Sequence, residues 1–257
     1  MDKKNKLDMF REYGERIRTA PEQKIIRGID SIRWSFRIFY GNHIELIRVL
    51  KVLEDRPESI KLWDVKKRGE LDKVFEEIGR LLFNYLAAAF MLIDHTRRYV
   101  DKMQGGAKHS AFKAKYKKEV RERFTDNENH QIAKGLRNYI QHRNLPAVGS
   151  RLIYTQEAGL SKTFGIPIDS LLVWDGWSPL ARKKLGAMGE SFKIRAFVEE
   201  YFGDVEAFHK WLWKKQVEMY GEDIERLNKL KDEARKFAKD AGIITKEEFE
   251  GWPVQVI

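Results

Sequence analysis

The chain has 257 residues, of which 42% are apolar and 34% charged, and it contains no cysteine. This length and apolar content are enough for a packed core in one large domain or two small ones. The charged fraction favours long, solvated helices over sheets. The lack of cysteine excludes disulfides, thiol nucleophiles and cysteine-based zinc sites, and it fits a cytoplasmic protein.

The formal net charge of +10 indicates a polyanionic partner, with nucleic acid ranked first and an acidic membrane surface second. Solvated lysines on helix faces are the plainer explanation of the same surplus. No signal peptide is recognisable after Met1, and the most apolar stretch, residues 81–93, is shorter than the roughly 20 residues that cross a bilayer. We therefore expect no membrane-embedded segment.

Apolar residues recur at helical spacing through most of the first 146 residues. Gly41 and Asn42 are expected to break the second helix, and Pro57 lies in a connector between the second and third. Thr125 and Asp126 are the expected N-caps of the last helix in this region. The predicted helices are 3–18, 22–54, 69–103, 108–124 and a final one that ends near residue 143.

The pattern changes after Pro146, where β-branched and aromatic residues become frequent. Two strands and a turn at 157–159 are predicted there, followed by helical spacing to residue 241. The strands are 151–156 and 160–174, and the helices are 179–187, 191–202 and 204–241.

These patterns predict a mainly α protein. A helical bundle is expected over residues 1–146, and residues 147–257 are expected to hold a β-hairpin insertion near 150–174 and further C-terminal helices. The sequence leaves open whether the two regions form one domain or two.

One predicted helix carries a polar face, and it ends in Arg137-Asn138-Tyr139-Ile140-Gln141-His142. At about 100° per residue, Gln141 lies about 40° from Arg137, Asn138 about 100° and His142 about 140°. The polar side chains therefore share less than half of the circumference. The opposite side is apolar and holds Ile132, Leu136, Tyr139 and Ile140.

These residue types fit acid–base cleavage of RNA without a metal. One group must take the proton of the 2′-hydroxyl and another must protonate the leaving 5′-oxygen, and histidine suits both because its ordinary pKa is about 6.5. A guanidinium such as that of Arg137 can hold two oxygens of the charged transition state. Because one helix supplies one Arg and one His, two copies at a two-fold axis would supply both an acid and a base. We therefore expect a homodimer.

The segment from Arg137 to His142, with a polar residue after the arginine, resembles the Arg-(four to six residues)-His signature of the HEPN superfamily. These are α-helical domains, many of them metal-independent endoribonucleases of toxin–antitoxin, abortive-infection, CRISPR and RNA-processing systems, usually with motifs paired across a dimer. The resemblance implies catalytic roles for Arg137 and His142, with Asn138 in support. It covers about residues 60–146 in architecture and leaves 147–257 unassigned.

Residues 97–123 contain ten basic and three acidic residues, with Phe112 and Tyr116 among them and Phe124 directly after. We expect a surface that follows an RNA backbone beside the motif. A solvated helix face above buried aromatic residues is the alternative. The candidate RNA-binding residues are Arg97, Arg98, Lys113, Lys115, Lys117, Lys118, Arg121 and, just after the motif, Arg143.

Three further polar residues are expected to support the site. Gln141 lies within the polar arc and would orient a phosphate or fix a histidine tautomer. His95, near the end of the long apolar helix, is expected to line the same cleft or to cap the bundle as a structural residue. Asn84 is expected to be a buried hydrogen-bonding residue or to contact Arg137 or His142.

No histidine or acidic pair has metal-ligand spacing, and no glycine-rich phosphate loop is present, so we expect no metal and no cofactor. The expected function is a metal-independent endoribonuclease of prokaryotic defence or toxin–antitoxin systems. Its expected partners are RNA, a second copy of the chain and an antitoxin or defence-complex protein. The alternatives are a non-catalytic HEPN-like adaptor and a basic helical protein that binds nucleic acid without cutting it.

Overall fold

A computed structural model describes residues 3–103, 106–157 and 159–245. The fold is mainly helical with a small three-stranded antiparallel sheet, which confirms the predicted fold class. The helices are α1 (Lys3–Thr19), α2 (Pro21–Asp55), α3 (Arg68–Lys102), α4 (Ala107–Val120), α5 (Glu128–His142), α6 (Ile168–Leu172), α7 (Pro179–Gly186) and α8 (Ile194–Asp240). The strands are β1 (Gly149–Thr155), β2 (Gly159–Pro167) and β3 (Ser191–Lys193), paired in that order.

Two compact units make up the chain, and the first takes the described parts of residues 1–34 and 212–257. It consists of α1, the beginning of α2 and the end of α8. Tyr13 and Phe237 pack against each other there, with ring centroids 5.5 Å apart. The domain boundary expected after Pro146 stays a prediction.

The second unit, residues 35–211, holds the motif helix α5 and the sheet. Its core centres on Tyr85 of α3, which is fully buried and donates a hydrogen bond of 3.2 Å to the carbonyl of Val198. The ring of Phe39 lies 5.1 Å from that of Tyr85. Other fully buried side chains in this core are Leu46, Leu50, Leu82, Leu136, Phe164 and Tyr201.

Two predicted helix breaks are wrong, because α2 continues through Gly41–Asn42 and α8 continues through Gly203. A glycine inside a helix costs about 1 kcal/mol of stability. This is less than the free energy gained by burying the apolar side chains that a continuous helix carries on both sides of the glycine. The buried residues beside the two glycines are Phe39 and Leu46 in α2, and Tyr201 and Val205 in α8.

The predicted hairpin is present, but β2 ends at Pro167 and the short helix α6 follows it, where the sequence predicted strand to residue 174. Residue 158 of the predicted turn lies outside the described part of the chain. Residues 191–193 form β3, where a helix was expected. Ile166 and Phe192 pair across β2 and β3, and both are fully buried, so burial of this pair accounts for the strand.

Polar contacts, half-buried or exposed, tie the sheet to the end of α2. The Glu54 carboxylate accepts the backbone N–H of Phe164 at 3.0 Å. Arg195 donates to Glu54 at 3.3 Å and to Asp55 at 2.6 Å. Both acidic residues at the end of α2 therefore have an arginine partner.

Close packing against Trp177 holds α5 in position. Trp177 is buried, and its indole N–H donates to the carbonyl of Leu171 at 2.7 Å. The ring lies against the backbone of Gly135, where an added Cβ would fall 2.3 Å from two ring carbons. Trp174 packs edge-on against Trp177 and against Tyr139 of α5.

The contact between Gly135 and Trp177 predicts that Gly135→Ala lowers the free energy of unfolding by about 1–3 kcal/mol, because the methyl group forces the indole away. Urea unfolding followed by circular dichroism measures the change.

Gly203→Ala is the matched control, since an added Cβ there meets no atom within 4 Å. It should stabilise the protein by up to about 1 kcal/mol through helix propensity alone. A Gly135→Ala protein as stable as the control variant would contradict the packing argument.

Candidate active site

The motif helix α5 starts at a different cap from the one predicted. The Asn127 side chain accepts the backbone N–H of His130 at 3.0 Å, so Asn127 is the N-cap, and Thr125 and Asp126 are not. Residues 121–125 form a single π-helical turn after α4, which moves the start of α5. The predicted apolar side of α5 is confirmed, with Ile132, Leu136 and Tyr139 buried and Ile140 half-buried.

Arg137 and Asn138 lie together on the polar side of α5, and both are half-buried. The guanidinium of Arg137 lies over the Phe90 ring of α3, 5.6 Å from its centroid. It also donates a hydrogen bond of 3.3 Å to the side-chain oxygen of Asn138. Among the described residues no carboxylate pairs with Arg137, so this oriented cation is available to donate hydrogen bonds to a phosphate.

His142 and Gln141 are exposed in the last turn of α5. No hydrogen bond or ion pair joins the His142 ring to any residue in the described ranges. Arg143 is also exposed and lies over the Tyr139 ring at 5.6 Å. Five helical residues separate His142 from Arg137 by about 7.5 Å along the axis and about 140° around it. Within one chain, the two side chains therefore point in different directions.

His95 and Asn84 do not join this site. The Nδ1 atom of His95 lies 2.6 Å from the hydroxyl of Ser35 on α2, which supports its structural alternative. Asn84 is only half-buried and has no side-chain hydrogen bond to a described residue, so its predicted buried hydrogen bond is wrong. Around α3, Phe90 lies about 120° from Asn84 and about 140° from His95. Neither residue is therefore on the side of α3 that Arg137 covers.

The predicted RNA-binding cations lie mostly in solvent. Arg97, Arg98, Lys115, Lys117, Lys118 and Arg121 are exposed, while Lys113 is half-buried and donates to the Asp101 carbonyl at 3.1 Å. Three of the exposed cations have acidic partners nearby, and such solvated pairs contribute little stability, so a phosphate can replace the carboxylate. These pairs are Arg97–Asp94, Lys118–Glu122 and Arg121–Asp126.

The aromatic residues of the basic segment belong to the core. Phe112 is only 4% exposed and stacks near Trp211, and Phe124 packs edge-on against Phe208 at 5.1 Å. Burial raises the pKa of the Tyr116 phenol to about 12. Phe112 and Phe124 are therefore not accessible to RNA bases, and the expected surface for an RNA backbone stays a prediction that depends on the cations alone.

His130 is a half-buried titratable residue that the sequence reasoning did not place near the site. Its Nδ1 atom lies 3.0 Å from the Tyr201 hydroxyl, and its ring lies 5.9 Å from Phe90, the same ring that Arg137 covers. Burial, with a smaller effect of Lys134, lowers its pKa to about 4. His130 comes seven residues before Arg137, a spacing that puts both residues on one side of a helix. This spacing is the sequence pattern that could have placed His130 near Arg137.

Within the described ranges, no three His, Asp or Glu residues are grouped to hold a metal ion. None of the described helices is both long and apolar enough to cross a membrane.

No protein-family model, curated protein or solved structure matches this chain. The assignment of a function therefore depends on the residues themselves.

Histidines of the second unit predict a loss of stability in acid: His130 and His209 are half-buried, and the buried His43 also has a pKa that burial lowers. Burial lowers the pKa of His209 to about 4, as it does that of His130. The unfolded chain binds these protons near the ordinary histidine pKa, so stability falls as the pH drops from about 6.5 towards 4. Each residue should cost about 2 kcal/mol between pH 7 and pH 5.

His209→Phe tests this, because phenylalanine keeps the ring contact with Phe36 and removes the proton site. The variant should lose about 2 kcal/mol less than the wild-type chain between pH 7 and pH 5, measured by urea unfolding at both values. Equal pH dependence of the two proteins would show that His209 does not titrate as proposed.

Proposed function

We propose that the chain is a metal-independent endoribonuclease of HEPN type that works as a homodimer. The observation that carries the proposal is the state of Arg137, a half-buried cation held by Phe90 and Asn138 without a carboxylate partner among the described residues. An exposed and unpaired His142 ends the same helix. A phosphate-binding cation and a free imidazole are the groups that this reaction requires.

The proposed reaction is attack of the 2′-hydroxyl on the adjacent phosphorus. One His142 takes the 2′-hydroxyl proton, the bond from phosphorus to the 5′-oxygen breaks, and a second His142 protonates that oxygen. The products are a 2′,3′-cyclic phosphate and a 5′-hydroxyl end. Arg137 holds the non-bridging oxygens as charge grows on them, and Asn138 fixes the guanidinium.

The homodimer is proposed because the reaction uses two imidazoles and each chain supplies one His142, on a different side of α5 from Arg137. An exposed apolar surface beside the motif supports a second copy. Phe83 on α3 is 40% exposed and lies about 20° around the helix from Phe90, the ring that Arg137 covers. Burial of such side chains against a second copy is favourable.

RNA is the proposed substrate because residues 97–121 carry exposed cations. Their positive charge attracts a phosphate backbone. The cytoplasmic location and an antitoxin or defence-complex partner belong to the same proposal. Binding of RNA without cleavage is the rival that the exposed cations also favour.

The first prediction of this proposal concerns the two charged motif residues. The wild-type chain should cleave single-stranded RNA in the presence of EDTA, and Arg137→Ala and His142→Ala should each lower the rate at least about 100-fold. Gel analysis of a labelled RNA measures the cleavage.

Arg68→Ala is the control, because Arg68 is exposed at the start of α3 and makes no contact with the motif helix. It should cleave at the wild-type rate. RNA that stays intact but binds tightly and salt-dependently would support the binding protein instead, and cleavage that EDTA abolishes would contradict the proposed mechanism.

The second prediction separates a composite site from a site within one chain. If wild-type chains are co-expressed with about a ninefold excess of His142→Ala chains, random pairing leaves about one tenth of the wild-type chains in wild-type dimers. The cleavage rate per wild-type chain should therefore fall to about one tenth of its value in the pure wild-type protein. Unchanged activity per wild-type chain would show that each protomer acts alone.

A further inference from the structure

An apolar groove runs along the exposed side of α2 and the start of α3, and none of its lining residues belongs to the motif helix. Two adjoining clefts, of about 360 and 420 Å³, share Arg48 and Val52 and together form it. We call it the α2–α3 groove. Its floor consists of Ile44, Ile47, Val52 and Leu53 of α2 and Val74 of α3. Val52 is 38% exposed and Ile44 36%, so the floor is open to solvent.

The rim of the α2–α3 groove is basic. Arg48, Lys51, Arg56 and Lys73 line it, all four are exposed, and none forms an ion pair with a residue in the described ranges. The two acidic residues of the lining are already neutralised: Asp55 pairs with Arg195 at 2.6 Å, and Glu77 pairs with Arg80 at 2.6 Å. The groove therefore combines an aliphatic floor with four uncompensated cations.

The shape and charge of the groove select its occupant. Residues 44–55 extend about 17 Å along the axis of α2, which matches about three turns of a helix laid beside it. An amphipathic helix fits when its apolar residues at spacings of three and four cover the floor and its acidic residues face the rim. A nucleic-acid backbone satisfies the cations but leaves the aliphatic floor uncovered, so it fits less well.

We propose that the α2–α3 groove binds an acidic amphipathic helix of a partner protein. The proposal is independent of RNA cleavage, because no lining residue belongs to the motif or to the basic segment of residues 97–121.

The probe is a phage-displayed library of random 16-residue peptides, panned against the immobilised full chain. Enriched peptides should carry aliphatic residues at spacings of three and four with Asp or Glu between them. Synthetic copies should bind the chain, and the Kd should rise at least about tenfold for Val52→Asp and for the double variant Arg48→Glu/Lys51→Glu. The Kd should also rise with added salt.

Lys214→Glu is the matched control, since Lys214 is exposed on α8 and does not line the groove. It should bind the peptides like the wild-type chain, and thermal unfolding checks that all variants fold. Enriched peptides that are not acidic, or that bind the groove variants and the wild-type chain equally, would overturn the proposal. So would groove variants that lose affinity for single-stranded RNA or for vesicles of phosphatidylserine and phosphatidylcholine and keep affinity for the peptides.

Discussion

The candidate site depends on one geometrical constraint, the offset of five residues between Arg137 and His142 on a single straight helix. A helix turns by about 100° per residue, so this offset directs the two side chains about 140° apart. The helix α5 is held in place along its buried side by Ile132, Leu136 and Tyr139. The backbone positions of Arg137 and His142 are therefore fixed relative to each other. Each chain supplies one His142, so a reaction that needs both an acid and a base takes its second imidazole from another chain, and the homodimer is proposed on this ground.

The rigidity of α5 comes from contacts on both sides of it. On one side Gly135 allows the Trp177 indole to reach the helix backbone, which is a contact that only glycine permits. On another side His130 is fixed to the buried Tyr201 hydroxyl. The ring of Phe90 on α3 contacts both His130 and Arg137. This one ring therefore joins the packed side of α5 to the guanidinium of Arg137. The guanidinium is thereby oriented without a ligand, and in the proposed reaction this would lower the cost of binding the transition state.

The sequence predicted the elements well where apolar periodicity was long and unbroken. The helix over Arg68–Lys102 and the motif helix both have apolar residues at spacings of three and four, and such spacing predicts a buried side directly. Predictions that relied on single residues failed. Gly41 and Gly203 did not break their helices, because the free energy of burying the neighbouring core residues exceeds the cost of one glycine.

Tertiary contacts explain the other differences. No local pattern reveals that β3 forms, since Phe192 gains its strand partner Ile166 only when the chain folds back. His95 was predicted towards the motif, yet the direction of its side chain is set by Ser35, which lies 60 residues earlier. The aromatic residues of the basic segment point inward because Phe208 and Trp211 of α8 meet them. The polar arc of α5 was predictable because it depends on one helix alone.

The chemical nature of the ends that the protein leaves on cleaved RNA tests the central claim most directly. Mass spectrometry of a short RNA digested by the wild-type chain in EDTA should find 2′,3′-cyclic phosphate on the upstream product and a 5′-hydroxyl on the downstream product. These ends require the 2′-hydroxyl as nucleophile and no activated water. Products with 3′-hydroxyl and 5′-phosphate ends would contradict the account, since they require water to attack the phosphorus in place of the 2′-hydroxyl.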